Sequence, residues 1–348
     1  MRGANWVGDA VMTVPALREL RRLLPEAHLT LATRPWAEGV FEGADFVDDI
    51  LVSPEASGKM RAVFGEAREW RARRFDLALL LPNSFAPALV AALARVPLRL
   101  GYATQGRAAL LSHGVAVPIW RGRRHEVFYY LELVAELGRL LHGTSATESC
   151  EPDLSLPVTP ARAVEALAVL RELGVGTGRP LVALCPGSTN SRAKRWPAER
   201  FAAVADMLAE RDGAEVILVG AREESDISEE VARHMRVRPY VLTGRTDLSQ
   251  TSAVLAAADL LVTNDTGPAH VAAAVGCPVV VIFGPTDPRT TRPFSAAAEV
   301  VRRPPDCAPC MLRDCPIDHR CMTAVTPEEV YESAARALAT RRKVEVAG

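Results

Sequence analysis

Short apolar runs, each followed by a turn and then by residues at helical spacing, recur along this chain. That alternation limits the fold more than any other feature. In the second half the runs are Leu181–Cys185, Glu215–Gly220, Tyr240–Thr243, Leu260–Thr263 and Val279–Phe283. Each has the length of a strand. Between them lie stretches such as the one opened by Trp196-Pro197, where Phe201, Val204, Ala205 and Leu208 fall on one helical face. Strands alternating with helices need crossover connections, which predicts a parallel sheet covered on both faces.

The first half repeats the pattern less regularly. His28–Thr33, Val47–Val52 and Phe75–Leu81 read as strands, while Lys59–Arg74, Ala86–Ala94 and His125–Leu141 read as helices. Glu151–Pro160 is rich in proline and serine and reads as a linker. A chain of 348 residues exceeds one average core. The expected organisation is α/β, with two Rossmann-like, doubly wound parallel-sheet domains facing across a cleft, residues 1–158 and 159–325. A last helical segment, residues 326–348, opens with a capping box in which Thr326 is the N-cap and Glu329 the third position. One irregularity stands out. Trp6-Val7-Gly8-Asp9 opens a helix carrying Val11, Val14, Leu17, Leu20 and Leu24, yet only a few residues precede it. Such a loop normally leaves a strand, so the first strand of the N-terminal domain is expected to be missing and a central sheet position vacant.

Hydrophobic residues make up 49% of the chain and charged residues 24%, the balance of a globular protein. A net charge of −1 gives no reason to expect nucleic acid as a partner. No apolar run approaches the roughly 18 residues that span a bilayer, and the opening residues lack a signal-peptide core. These features predict a cytosolic chain with reduced thiols.

Two strand-end turns have the chemistry of an anion seat. In Asn264-Asp265-Thr266-Gly267-Pro268-Ala269-His270, Pro268 suits the first helical position and Gly267 lets backbone approach a ligand. The free first-turn N–H groups attract negative charge, Asp265 offers acceptors for sugar hydroxyls, and His270 lies close by. A plain strand-to-helix turn would use the same residues. In Pro186–Pro197, Gly187 permits a tight turn, Ser188 and Thr189 offer hydroxyls, and Lys194 with Arg195 supplies positive charge. A diphosphate without a bound metal needs this combination, although a solvated basic loop would look alike. Two such turns in one domain favour a nucleotide site. Glu223 and Glu224 follow another strand, where a carboxylate can hold ribose hydroxyls or sit at a helix start. Asp9, at a loop-to-helix junction, reads either as a general base or as a helix cap.

Four of the seven cysteines, Cys307, Cys310, Cys315 and Cys321, follow a C-x2-C-x4-C-x5-C spacing with His319 among them. In a reducing compartment this predicts a structural zinc or, less readily, an iron–sulfur cluster. Free thiols in a tight loop are the other reading. Arginines also gather in the first half, among them Arg68, Arg71, Arg121, Arg123 and Arg124, and a subset would suit an anionic acceptor.

Taken in order, Trp6-Val7-Gly8-Asp9 with Pro15-Ala16-Leu17, Leu81-Pro82-Asn83-Ser84-Phe85, the Pro186-Gly187 turn with Lys194-Arg195-Trp196-Pro197, and Asn264 to His270 resemble the ADP-heptose:lipopolysaccharide heptosyltransferases. The likeness covers nearly the whole chain and is greatest to the heptosyltransferase II type. It implies a GT-B fold with the donor in the C-terminal domain, and a last helix that crosses back to the first domain. It also implies inverting transfer from ADP-L-glycero-β-D-manno-heptose, without a catalytic cofactor, to a heptosyl-Kdo-lipid A acceptor at the inner membrane surface. Peripheral attachment there would follow. By this resemblance Asp9 is the catalytic base, Lys194 and Thr189 bind phosphate, and Asp265 holds the heptose. Thr266 and Gly267 form the diphosphate turn, Glu224 meets the ribose, and Thr246 lies at the adenine. The cysteine cluster occurs in only some relatives. Rival readings are another GT-B enzyme, such as a different core glycosyltransferase or a nucleotide-sugar epimerase, and a nucleotide-binding module without turnover. A Rossmann dehydrogenase is disfavoured, because no Gly-x-Gly-x-x-Gly follows a strand.

Overall fold

A computed structural model describes residues 1–53, 58–143 and 151–347. The chain forms two compact units, Met1–Leu154 and Ser155–Gly348. The division falls inside the Pro/Ser-rich stretch expected to link them.

In the first unit the strands are β1 (Thr30–Thr33), β2 (Asp49–Val52), β3 (Leu77–Leu80), β4 (Leu98–Tyr102) and β5 (His113–Val115). β1 pairs with β2, and β3, β4 and β5 pair in that order, all parallel. The chain start lies between the two sets. Arg2 bridges Ala32 on one side and Leu80 on the other, both in the parallel sense. The backbone of Met1 to Gly3 exchanges hydrogen bonds of 2.8–3.3 Å with Leu79, Leu81 and Ala32. The central position expected to be vacant is therefore filled by a stub too short to read as a strand. With it, the order is β2-β1-stub-β3-β4-β5.

Side-chain burial holds that stub. Arg2 is 1% exposed, donates to the carbonyls of Gly3 and Ala32, and lies 3.3 Å from Glu66 Oε1. Ser53 Oγ donates to the same carboxylate oxygen at 3.1 Å. Burial pushes the Arg2 guanidinium down to about 10, and the Glu66 charge opposes that shift. An ion pair this deep is costly to break from one side only, because the remaining charge stays buried and uncompensated.

The second unit holds β6 (Leu181–Cys185), β7 (Glu215–Leu218), β8 (Tyr240–Val241), β9 (Leu260–Asn264), β10 (Val279–Phe283) and β11 (Ala298–Arg302). The sheet order is β11-β10-β9-β6-β7-β8, all parallel. Residues of β6, β9 and β10 are buried throughout, as a sheet covered on both faces requires. The helix Ala198–Asp212 packs the predicted Phe201, Val204, Ala205 and Leu208, all 0% exposed, against this sheet. The last helix, Pro327–Ala347, starts with the predicted capping box. Glu329 N–H donates to Thr326 Oγ1 and Thr326 N–H to Glu329 Oε2. Within the second unit, Val330, Ala334 and Leu338 of this helix join the core.

Counted from its own first strand, each unit has the order 3-2-1-4-5-6. In such sheets ligands gather at the carboxyl ends of strands 1 and 4, where the winding reverses.

Candidate active site

In the second unit that reversal lies between β6 and β9, and both predicted turns leave the sheet there. Asn264, fully buried at the end of β9, ties them together. Its Nδ2 donates to Pro186 O at 2.7 Å and Gly187 O at 3.3 Å, and its Oδ1 accepts from Trp196 N–H at 3.1 Å. The loop after β6 thus returns to its neighbour strand. The return is anchored by Trp196, which is 0% exposed and donates its indole N–H to Val325 O.

This frame brings Lys194 to Asp265. Lys194 Nζ donates to Asp265 Oδ2 at 2.7 Å and to its backbone carbonyl at 3.1 Å. Thr286, in the turn after β10, donates to the same Oδ2 at 2.6 Å. Asp265 is 4% exposed, and Oδ1 accepts no hydrogen bond from the described residues. One carboxylate oxygen is fixed by protein donors and the other is left to accept. The helix Gly267–Ala274 starts beside it. Its N-cap, Thr266, makes no side-chain capping bond, so the first-turn N–H groups keep their attraction for an anion. His270 is buried within this helix.

Across the turn, Thr189 Oγ1 donates to Glu224 Oε1 at 3.1 Å, and Ala221 N–H donates to Glu224 Oε2 at 3.1 Å. Of the two acidic candidates, Glu224 is buried and Glu223 is exposed. Gly187 leaves the room for that carboxylate, since a Cβ on it would lie 2.2 Å from the carboxyl carbon. Ser188 is 3% exposed, and its carbonyl accepts from Arg195 at 3.2–3.3 Å. Thr246 stands apart from this cluster, with its hydroxyl paired to Thr251 at 2.8 Å.

The cysteine-bearing loop clasps the Lys194 segment from outside. Ala193 N–H donates to Arg313 O at 2.9 Å, and Ser191 Oγ donates to the same carbonyl at 3.2 Å. His319 Nε2 lies 2.6 Å from Ala193 O, and Arg192 pairs with Asp314 at 2.7 Å. Cys307 is exposed, Cys310 and Cys315 are half-buried, and Cys321 is buried. Burial, and then the neighbouring cysteines, push the Cys321 thiol up. Among the described residues no three His, Cys, Asp or Glu side chains converge as a metal site. The expected zinc therefore finds no support in the geometry, and the loop is fastened by these backbone and side-chain hydrogen bonds and by the Arg192–Asp314 ion pair.

In the first unit the helix Val7–Met12 follows the central stub and carries Asp9 in its first turn. Asp9 thus occupies the same topological place as the Pro186 turn does in the second unit. Tyr130, on the helix Glu126–His142, donates to Asp9 Oδ1 at 3.4 Å. Burial first, and then the Asp9 charge, hold the Tyr130 hydroxyl far above its ordinary range, so it remains a donor. Glu126 is pushed up by burial and by Asp9, while Arg121 at 3.8 Å opposes the shift. The sequence places Asn264 in its turn without a role, and it did not reveal Tyr130, Glu126 or Thr286. Only Thr286 left a local signal, a strand-end turn of the kind already used for Asp265.

An open parallel sheet with donors and one open carboxylate oxygen at its switch point is the arrangement of a ligand-binding α/β protein. The family profile described as glycosyltransferase family 9 (heptosyltransferase) matches residues 64–320. Lipopolysaccharide heptosyltransferase 2 of Escherichia coli K12 is 30% identical over 308 residues, 86% of each chain. The structure of E. coli ADP-heptose LPS heptosyltransferase II superposes with a TM-score of 0.83 at 26% identity, covering 98% of both chains. A family 9 glycosyltransferase from Veillonella parvula, 23% identical, shares the fold with a TM-score of 0.84 over 97% of this chain and 96% of its own. The chain belongs to glycosyltransferase family 9, the heptosyltransferases. It is a glycosyltransferase with the GT-B class of fold that the sequence predicted.

Proposed function

We propose that this chain transfers L-glycero-D-manno-heptose from ADP-L-glycero-β-D-manno-heptose to the first heptose of a lipopolysaccharide inner core, with inversion. The observation that carries this reading is the Lys194–Asp265–Thr286 arrangement beside the uncapped helix start. It combines a cation and N–H donors for a diphosphate with a carboxylate oxygen open to a sugar hydroxyl. Glu224, held by Thr189 and Ala221, is the acceptor for the ribose.

Asp9 is the general base in this scheme. The acceptor hydroxyl gives its proton to the Asp9 carboxylate as its oxygen bonds to the anomeric carbon. The bond from that carbon to the phosphate oxygen breaks, and ADP leaves with the electron pair. Lys194 and the first-turn N–H groups of the Gly267–Ala274 helix stabilise the departing charge. The Tyr130 hydroxyl, donating to Oδ1, orients Asp9. The scheme draws on no cofactor. Because the acceptor carries lipid A, the enzyme acts at a membrane surface. No helix among the described residues is long and apolar enough to cross a membrane, so attachment in this reading is peripheral.

The test is incubation with ADP-heptose and a mono-heptosylated lipid acceptor, read by mass spectrometry. The expected product has gained one heptose. Asp9→Asn is expected to keep ADP affinity while transfer falls by roughly 10²–10⁴-fold. Turnover of UDP-sugars instead, or ADP binding without turnover, would replace this reading by one of its rivals. Unchanged transfer by Asp9→Asn would remove that residue from the mechanism.

A further inference from the structure

The helix Lys59–Arg73 has two faces that its place in the fold does not explain equally well. The inner face buries Val63, Glu66, Ala67 and Trp70 at helical spacing. The outer face leaves Met60 58% exposed and Phe64 55% exposed, one turn apart. A solvated face rarely shows two such side chains together. Around them Lys59, Arg61, Arg68 and Arg71 are exposed, and their side chains make no hydrogen bond or ion pair with the described residues. The contrast within the helix is informative. Arg73 is neutralised by Asp49 and Glu69, and Glu66 is turned inward to Arg2 and Ser53. Among the described residues the outer face therefore presents Arg61, Arg68 and Arg71 around two large apolar side chains, with Lys59 at the helix start and the one acid, Glu69, paired with Arg73.

We propose that this face docks the first unit on an anionic phospholipid surface. The occupant follows from charge and shape together. A bilayer interface accepts apolar side chains between headgroups while its phosphates meet the surrounding cations, and basic amphipathic helices bind in this manner. A folded protein partner would need a pocket for Phe64 and acids spaced for each arginine. A lipid surface supplies both without a fixed geometry. The docking gains its purpose from the lipid-bearing acceptor proposed above, but it stands on this helix alone and is measured without any transfer reaction.

The experiment is flotation of the full-length chain with two kinds of vesicle, equal parts phosphatidylglycerol and phosphatidylcholine, or phosphatidylcholine only. Binding is expected to the anionic vesicles alone. It should weaken steeply as salt shortens the screening length from about 8 Å near physiological strength to about 3 Å at 1 M. Each arginine near a charged surface contributes about fivefold in affinity, so Arg61→Ser/Arg68→Ser/Arg71→Ser should weaken binding roughly a hundredfold. Phe64→Ser should weaken binding while leaving its salt dependence intact. All these variants should keep wild-type ADP affinity, and Phe64→Ser should keep wild-type transfer to a deacylated acceptor. Equal binding to both vesicles, or to neither, overturns the proposal, as does a triple variant that binds like wild type. A change in oligomeric state with Phe64→Ser would instead make this face a contact between copies. Loss of transfer to the deacylated acceptor with vesicle binding intact would assign the arginines to the sugar acceptor. Failure of heptose transfer in the wild type, with vesicle binding preserved, would overturn the proposed function and leave this docking standing.

Discussion

Gly187→Ala isolates the logic of the donor turn, because it adds one methyl group and nothing else. Gly187 is not among the glycines with positive φ, so alanine suffers no backbone penalty there. The cost is space. The new Cβ would stand 2.2 Å from the carboxyl carbon of Glu224, and 2.3 and 2.6 Å from its oxygens. Ordinary carbon contacts lie at about 3.5–4.0 Å, so the carboxylate must retreat by more than an ångström. It has little freedom to do so, being 7% exposed and holding both Thr189 Oγ1 and Ala221 N–H at 3.1 Å. Overpacking costs about 1–3 kcal/mol, and a hydrogen bond to a charged group about 1.5–3 kcal/mol. Losing one such bond along with the strain gives about 2.5–6 kcal/mol. For a unit of this size each kcal/mol moves the melting temperature by roughly 2–4 °C. A loss near 3 kcal/mol would therefore lower the melting temperature by about 6–12 °C, and ADP affinity should fall with it. Glu224→Ala removes the obstacle, so the double variant should be less impaired than the sum of the two single ones. Thermal melts and titration calorimetry on all four proteins would read this cycle. If Gly187→Ala melts and binds as wild type does, or if the two losses simply add, the turn is not packed on Glu224.

Three further outcomes are expected. Lys194→Ala should weaken ADP binding by roughly tenfold or more, the worth of a charge-assisted contact, and unchanged calorimetric affinity would reassign the loop. Glu66→Ala leaves Arg2 buried without its counter-charge, so denaturant unfolding of the first unit should lose about 3–5 kcal/mol; a loss below about 1 kcal/mol would mean that Arg2 finds another partner. Glu126 is pushed above its ordinary carboxylate range, chiefly by burial. The folded state thus binds its proton more tightly than the unfolded one, and its contribution to stability is present at low pH and lost as pH rises through the raised value. Glu126→Gln should accordingly raise the melting temperature at neutral pH, and the gain should disappear as pH falls below the ordinary carboxylate range. A pH-independent difference would contradict that account.

The parts of this molecule legible in the sequence are those written locally. A strand, a glycine-bearing turn and a helix lie close together in sequence, so the candidates Asp265, Lys194 and Glu224 are readable from the sequence alone. β6, β9 and β10 were readable because burial on both faces forces unbroken apolar runs. β4, β5 and β11 were not, since half-buried strands mix polar residues into short runs. β4 includes Arg99 and Gly101, and only Ala298 of β11 is buried. Gly101 is a glycine because a Cβ would crowd Leu80 and Arg107 at 3.1–3.2 Å, which neighbours decide and propensity does not. The stub fails for the same reason. Three residues have no pattern of their own, and it is β1 and β3 that make Met1 to Gly3 a strand. The surroundings of Asp9 were out of reach because Tyr130 lies 121 positions away in sequence.

The Asn264 amide has one more consequence. A single planar group gives its two hydrogens to one segment and its oxygen to another, all from the tip of the strand that carries Asp265. Under the proposed function, nucleotide recognition in this unit is therefore a collective property. Damage at that amide, even its hydrolysis to a carboxylate, would set oxygen against the Pro186 and Gly187 carbonyls and dislodge every ligand-facing piece at once, whereas a change at any one rim residue would blunt binding only in proportion.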